Sequence, residues 1–264
     1  MVYLGGRQGN RYAMTPVFIT ATLAVILYSL WVRRDTWWSR WESAATFAIA
    51  MEGCALVLLS PWAGAELSPL LHQWLGMWNV QQLVGGFCLI IAVIANIYHM
   101  LVRLADPEQV RPLMRRHLRL PVGLGVLVLL VSFVKIERGH EPDLFAGLTG
   151  DAWLTAFEVA ACWLVLYLSG YVGRLMLVLR HDPRAKRTVD LYLASMAFTV
   201  LACLIAIASI WVGGYAGPAI WACICLSVAI FAYGLARSWQ AKTAWFSPNA
   251  SRQGGSSQSE REIS

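Results

Sequence analysis

Seven long apolar runs limit what this chain can fold into. They cover approximately residues 13–32, 43–62, 79–102, 120–135, 152–173, 189–212 and 216–236. A helix rises about 1.5 Å per residue, so roughly 20 apolar residues cross the hydrocarbon core of a bilayer. Charged residues make up only 14% of the chain, against about 25% in typical soluble domains. The runs therefore predict an all-α bundle of seven transmembrane helices, formed by residues 1–240.

The distribution of basic residues predicts the orientation of this bundle. If alternate loops share one side, seventeen Lys and Arg residues lie on the side of the C-terminus and four on the side of the N-terminus. Loops that stay in the cytoplasm carry the excess of positive charge. We therefore expect the N-terminus outside and the C-terminus inside, with residues 241–264 as a disordered cytoplasmic tail.

The same pattern accounts for the basic pI without nucleic acid. The basic residues lie where membrane insertion requires them, so their expected partners are water and anionic lipid headgroups. The residues predicted to contact this membrane surface are Arg115, Arg116, Arg184, Lys186 and Arg187.

A few polar residues interrupt the apolar runs. Glu52 lies in the middle of the second run, Glu158 lies near the start of the fifth, and Asn96 and His99 lie in the third. No Lys or Arg lies at a matching depth in any run, so a fixed ion pair with Glu52 is not expected. Two interpretations remain open. The acid either forms a hydrogen bond that supports packing, or it binds a ligand, cation or proton; an acid within the membrane favours the second.

Motifs for catalysis and for cofactors are absent from the sequence. There is no HExxH, P-loop or CxxC, and the last run lacks the lysine that a retinal protein needs. The cysteines Cys223 and Cys225 project about 200° apart on a helix, which is unsuitable for a shared metal. We expect neither an enzyme nor a bound metal or cofactor.

Three connecting segments have interpretable patterns. Residues 63–78 are amphipathic and predict a short surface helix, for which Ser68-Pro69 suits the start; a lid over a cavity is the alternative. Residues 106–120 predict a separate basic helix on the inner surface. Residues 135–151, KIERGHEPDLFAGLTGD, are either a ligand-binding loop or a solvated connection.

The chain resembles a family of uncharacterised actinobacterial membrane proteins that carry a transporter label. The resemblance rests on GMWNVQQLVGGFCLIIAVIANIYHMLVRL around the third run and on RHDPRAKRTVDLYLASMAF leading into the sixth. It covers most of residues 1–240 and implies a multi-pass protein of a bacterial cytoplasmic membrane. Members of that family usually continue into a cytoplasmic domain, whereas this chain ends in a short tail.

Two functions follow as expectations. The first is a transporter-like protein that binds a small solute or cation within the bundle, with Glu52 as the central group. The second is a sensory or regulatory membrane module that signals to a cytoplasmic protein partner through its basic loops. The sequence does not predict the oligomeric state.

Overall fold

A computed structural model describes residues 5–39, 42–136, 139–145, 151–183, 185–212 and 216–245. Within these ranges the chain is helical, with a short 3₁₀-helix at Arg34–Trp38 and no strand. The eight α-helices are α1 Gly5–Val32, α2 Ser43–Leu59, α3 Pro61–Leu75, α4 Val80–Leu104, α5 Pro107–Lys135, α6 Ala152–Leu179, α7 Lys186–Val212 and α8 Gly217–Trp245. The all-helical prediction is confirmed.

The bundle has the character of a multi-pass membrane protein. Six helices are long and apolar enough to cross a bilayer, and α2 and α3 qualify together as a pair bent by 76°. Large apolar side chains point outward along several helices, and on α5 they include Leu120, Leu124 and Val134. A soluble monomer rarely exposes continuous apolar surface of this kind, so these faces are suited to lipid.

Exposed tryptophans lie at both ends of the bundle, and amphipathic rings of this kind favour the depth of the lipid headgroups. Trp31 and Trp38 mark one end, and Trp62 and Trp74 mark the other. Trp163 lies well inside the fifth apolar run, where a ring would be expected to pack between helices, but it is 47% exposed and stacks on Tyr167.

The expected separation of a basic surface helix from the fourth span is wrong, because α5 runs unbroken through both. Pro121 suggests a break, since proline cannot donate to the carbonyl four residues earlier. That carbonyl belongs to His117, and the hydroxyl of Tyr167 on α6 donates to it at 2.7 Å. A neighbouring helix therefore satisfies the acceptor that Pro121 leaves unpaired, and the helix continues.

The predicted helix start at Ser68-Pro69 is also wrong. The helix begins at Pro61, where the Ser60 hydroxyl accepts a hydrogen bond from the Ala63 N–H at 3.2 Å. Ser68 instead lies buried inside α3 and donates to the Asn79 side chain. Both serine-proline pairs fit a helix start locally, and only the tertiary contacts distinguish them.

Helix packing defines two ends of the bundle. We call the end where α1, α4 and α8 finish and α2 starts the basic end, and we call the opposite end, which carries α3, the loop end. α2 packs closely against α4, α7 against α8, and α1 against α8. Helix α8 continues beyond the predicted span to Trp245, so the first residues of the predicted tail are helical, and residues 246–264 lie outside the described residues.

Candidate binding cavity

A cavity of about 200 Å³ lies in the centre of the bundle. Helices α2, α4, α5, α6, α7 and α8 all contribute to its wall, and the wall is mainly apolar. Among the polar residues that line it are Glu52, Asn96 and Glu158. Three of the four residues predicted as ligand or proton sites therefore meet at one cavity, although they come from three different helices.

Hydroxyl groups on α7 and α8 form one polar part of the wall, and they bond to one another. Ser195 Oγ donates to the Ser227 carbonyl at 2.9 Å, and Ser227 Oγ donates to the Ser195 carbonyl at 2.8 Å. Thr199 Oγ1 lies 2.6 Å from Ser227 Oγ. This group, which the prediction from sequence missed, joins the two helices and leaves little hydrogen-bonding capacity for a ligand. The sequence feature that could have revealed this cluster is the spacing of Ser195 and Thr199, which lie four residues apart on one helical face.

The acidic and amide groups of the wall are different. Glu52 Oε2, Glu158 Oε1 and Asn96 Oδ1 are each buried and accept no hydrogen bond from the described residues. The Glu158 and Asn96 residues are each only 6% exposed. Buried polar atoms normally have a hydrogen-bond partner. Three unpaired acceptor oxygens on one cavity therefore indicate a site for a ligand that donates hydrogen bonds.

The register of α2 and α4 places two of these groups close together in depth. Arg103 on α4 bonds to Glu42 just before α2, and Gly85 on α4 lies against Leu59 at the other end of α2. Because the two helices are antiparallel, these contacts place Glu52 beside a point on α4 that lies about one helical turn, ~5 Å along the helix axis, from Asn96. Glu158 faces the same cavity from α6.

The described part of the loop between α5 and α6 closes the loop end of the cavity; we call residues 139–145 the cap loop. Its Leu144 and Phe145 line the cavity, and Phe145 contacts the Trp221 ring edge to face at 5.6 Å. The segment 63–78, which on sequence grounds could be either a lid or a surface helix, contributes no residue to the described lining.

Hydrogen bonds hold the cap loop to the start of α4. The Asn79 side chain donates to the Gly139 carbonyl at 3.2 Å and accepts from the Glu141 N–H at 3.2 Å. Gln82 donates to the Glu141 carbonyl at 2.8 Å. Asn79 has a φ of 61°, in the left-handed region that asparagine tolerates better than most residues. Neither polar side chain was predicted to hold a loop.

Close packing against α3 and α8 completes the attachment. His140 Nε2 lies 2.7 Å from the Gly64 carbonyl, and a Cβ at Gly64 would lie 1.9 Å from the Pro142 carbonyl oxygen. Trp221 on α8 donates to Asp143 at 3.2 Å. Partial burial raises the pKa of the Asp143 carboxyl, while hydrogen bonds from the Phe145 N–H and Trp221 counteract part of that rise.

A second cavity of about 260 Å³ lies against the other side of the cap loop. Its wall includes the acidic residues Glu141 and Asp143. Gln82, Leu144 and Phe157 line both cavities. These three residues therefore form a thin partition between the central cavity and an acidic vestibule at the loop end.

His99 does not join the other candidate residues at the central cavity. It is buried at the basic end, one turn before Arg103, where it interacts electrostatically with Arg103 and Glu42. His99 and Asn96 lie three residues apart and so share one face of α4, but the residues packed around them differ. The prediction of His99 as a ligand or proton site therefore gains no support from this cavity and stays a prediction.

The charged cluster beside His99 was missed by the prediction from sequence. Arg33 is 1% exposed and donates to Glu42 Oε2 at 2.9 Å, while Arg103 donates to Glu42 Oε1 at 2.7 Å. Lys242 also donates to Glu42 Oε1. Arg33 further donates to Thr46 and to the Leu235 carbonyl. One carboxylate thus joins the ends of α1, α4 and α8 at the start of α2.

The electrostatics of Glu42 follow from this arrangement. Burial by itself would raise its pKa, but the hydrogen bond from Lys242, the charge of Arg103 and the hydrogen bond from Arg33 outweigh burial. They lower the pKa from 4.5 to about 2. Glu42 is therefore ionised at neutral pH, and its signal in the sequence was an acid placed among arginines immediately before an apolar run.

Four of the five residues predicted to contact the membrane surface lie at the basic end. Arg115 and Arg116 on α5 and Lys186 and Arg187 on α7 are exposed. Arg184 lies outside the described residues. These positions suit contact with headgroups or with a protein partner equally well.

Comparisons with protein families, with curated proteins and with solved structures yield no match. The resemblance to actinobacterial membrane proteins therefore stays a prediction. Fold and cavity together define the class as a multi-pass helical membrane bundle, and any narrower assignment depends on the chemistry of the cavity.

Proposed function

We propose that this chain is a transporter-like protein of a bacterial cytoplasmic membrane that binds a small solute or cation in the central cavity. The observation that carries the proposal is the set of three unpaired acceptor oxygens, on Glu52, Asn96 and Glu158, in a mainly apolar wall. A purely structural acid would be expected to bond to a neighbouring helix. Buried acids in membrane bundles commonly mark the path of a substrate or proton.

The loop that closes the cavity supports a role in transport rather than a purely structural role for the buried acids. The cap loop covers the loop end and is held in part by hydrogen bonds to side chains and backbone, which can break and re-form. The vestibule beyond it, with Glu141 and Asp143 in its wall, provides space for a solute next to the partition. In the proposed orientation the basic end faces the cytoplasm, and the vestibule therefore faces outside.

A flux measurement tests this proposal. The purified full chain is reconstituted in liposomes, and proton and monovalent cation flux are followed with a trapped dye for the wild type and for Glu52→Gln. We expect flux in the wild type and its loss in the variant. Glu66→Gln, which changes an exposed acid on α3, is the matched control and should retain flux.

Two results would contradict the proposal. Equal flux in wild type and Glu52→Gln would remove Glu52 from the pathway. Binding of a ligand without any flux would instead favour the regulatory alternative. A cytoplasmic protein that co-purifies only while Arg115 and Arg116 are intact would support that alternative.

A further inference from the structure

The buried polar side-chain atoms that lack a partner in the described wall of the central cavity are all acceptor oxygens. Glu52, Asn96 and Glu158 each present an unpaired oxygen, and the described lining contains no Lys, Arg or His. The hydroxyl groups of α7 and α8 are occupied with one another. A ligand that fits this wall must therefore bring N–H or O–H donors with it.

The charge of the two carboxyl groups restricts the class of ligand further. An ionised carboxylate in an apolar cavity is costly unless an opposite charge accompanies it, and the protein offers none there. A ligand with one positive charge would neutralise one ionised carboxylate. A primary ammonium carries three N–H donors on a compact cation, which matches the three acceptor oxygens in number.

A metal ion fits the cavity less well than an organic cation. Calcium takes about 6–8 oxygen ligands, and the described residues contain no group of three or more His, Cys, Asp or Glu that could hold a metal. Most of the wall is apolar and would contribute no ligand to an ion.

The rest of the cavity indicates the body of the ligand. Its wall contains the rings of Phe87, Phe157 and Trp221 together with aliphatic side chains. An engineered apolar cavity of about 150 Å³ in another protein binds benzene, so about 200 Å³ accommodates one ring with a short side arm. Aromatic faces also attract an ammonium group.

From these observations we propose that the cavity binds a small primary amine with a single aromatic or similarly compact apolar body. The ammonium group lies against Glu52, with Asn96 and Glu158 as further acceptors, and the apolar body lies among the rings. The acidic vestibule supplies the route, across the partition of Gln82, Leu144 and Phe157. This assignment rests on the proposed function and specifies its ligand class.

Binding of a matched pair of probes tests the assignment. Benzylamine is protonated at neutral pH, and benzyl alcohol is neutral with nearly the same shape. Each is titrated calorimetrically into the detergent-solubilised full chain at pH 7. We expect benzylamine to bind about tenfold or more tightly than benzyl alcohol, as for a hydrogen bond to a charged group.

Variants locate the site. Glu52→Gln should weaken benzylamine about tenfold and leave benzyl alcohol unchanged, and Glu66→Gln should alter neither. The comparison of the two probes on the wild-type chain needs no variant, so it stands even if Glu52→Gln fails to fold.

The outcomes separate the two proposals. Equal affinity for both probes would overturn the amine assignment and leave solute binding by the cavity intact. Failure of both probes to bind would overturn the amine assignment and remove support from the proposed function as well. Benzylamine binding that Glu52→Gln and Glu158→Gln both leave unchanged would place the amine elsewhere and overturn the assignment.

Discussion

Arg33 and Glu42 form an ion pair of 2.9 Å in which both side chains are almost completely buried. Taking two charges out of water is costly, and the cost is recovered only when the hydrogen-bonding groups of both partners are satisfied. Here Arg33 also bonds to Thr46 and to a carbonyl of α8, and Glu42 also accepts from two further cations. The pair therefore belongs to the structure that holds the basic end together.

Removal of the Glu42 charge should destabilise the protein strongly. Glu42→Gln leaves Arg33 buried without a counter-charge, and the free energy of unfolding should fall by about 3–5 kcal/mol. Denaturant unfolding in detergent micelles measures the change. Arg34→Gln is the control. Arg34 is exposed and its ion pair with Asp35 is long, at 3.8 Å, so the free energy of unfolding should change by less than about 0.5 kcal/mol. Equal effects of the two variants would contradict the role of Glu42.

The same carboxylate predicts a pH dependence. Because the pKa of Glu42 is lowered from 4.5 to about 2 on folding, its contribution is present above pH 4.5 and is lost as the pH falls towards 2. The shift corresponds to about 3 kcal/mol. The difference in stability between wild type and Glu42→Gln should therefore shrink from pH 5 to pH 2. A difference that stays constant over this range would show that Glu42 does not titrate as proposed.

The Tyr167 hydroxyl should be required for the continuity of α5. Tyr167→Phe leaves the His117 carbonyl without its donor beside Pro121, and we expect a loss of about 1–3 kcal/mol. Amide hydrogen exchange should also accelerate in α5 around Pro121. Tyr98→Phe, at an exposed position on α4, serves as the control and should have no effect.

Glycine at position 64 should be required for docking of the cap loop. A Cβ there would overlap the Pro142 carbonyl at 1.9 Å, so Gly64→Ala must displace the loop backbone. We expect faster hydrogen exchange in residues 139–145 and a loss of about 1–3 kcal/mol. Gly123→Ala meets nothing within 4 Å and provides the matched helical control. Unchanged exchange in Gly64→Ala would contradict the close packing.

Loss of the Asn79 side chain tests the hydrogen bonds of the same loop. Asn79→Gly keeps the left-handed backbone accessible and removes the bonds to Gly139 and Glu141. Exchange at residues 139–145 should accelerate, and if the cap loop controls entry, benzylamine should bind and dissociate faster. Gln240→Ala, at the basic end, should leave hydrogen exchange in the loop and the binding and dissociation rates of benzylamine unchanged. An unaltered loop in Asn79→Gly would show that these bonds do not hold it.

Sequence alone indicated the membrane-like character of this protein and the positions of most of its helices. Apolar runs of about 20 residues suit a bilayer, where the backbone must form its hydrogen bonds within each helix. That local requirement predicted the all-helical bundle and the approximate position of each spanning segment. It failed at Pro121 and at Ser68-Pro69, because the group that decides each case comes from another element.

The tertiary structure decided which polar residues share a site. Glu52, Asn96 and Glu158 lie on three helices, and their meeting at one cavity depends on how those helices pack. Sequence listed His99 with Asn96 because both are polar and lie toward the same end of the third run, but packing places His99 beside Arg103 and Glu42. Helical periodicity determines the direction of a side chain around its own axis, whereas the neighbours that it meets depend on contacts between residues far apart in the chain.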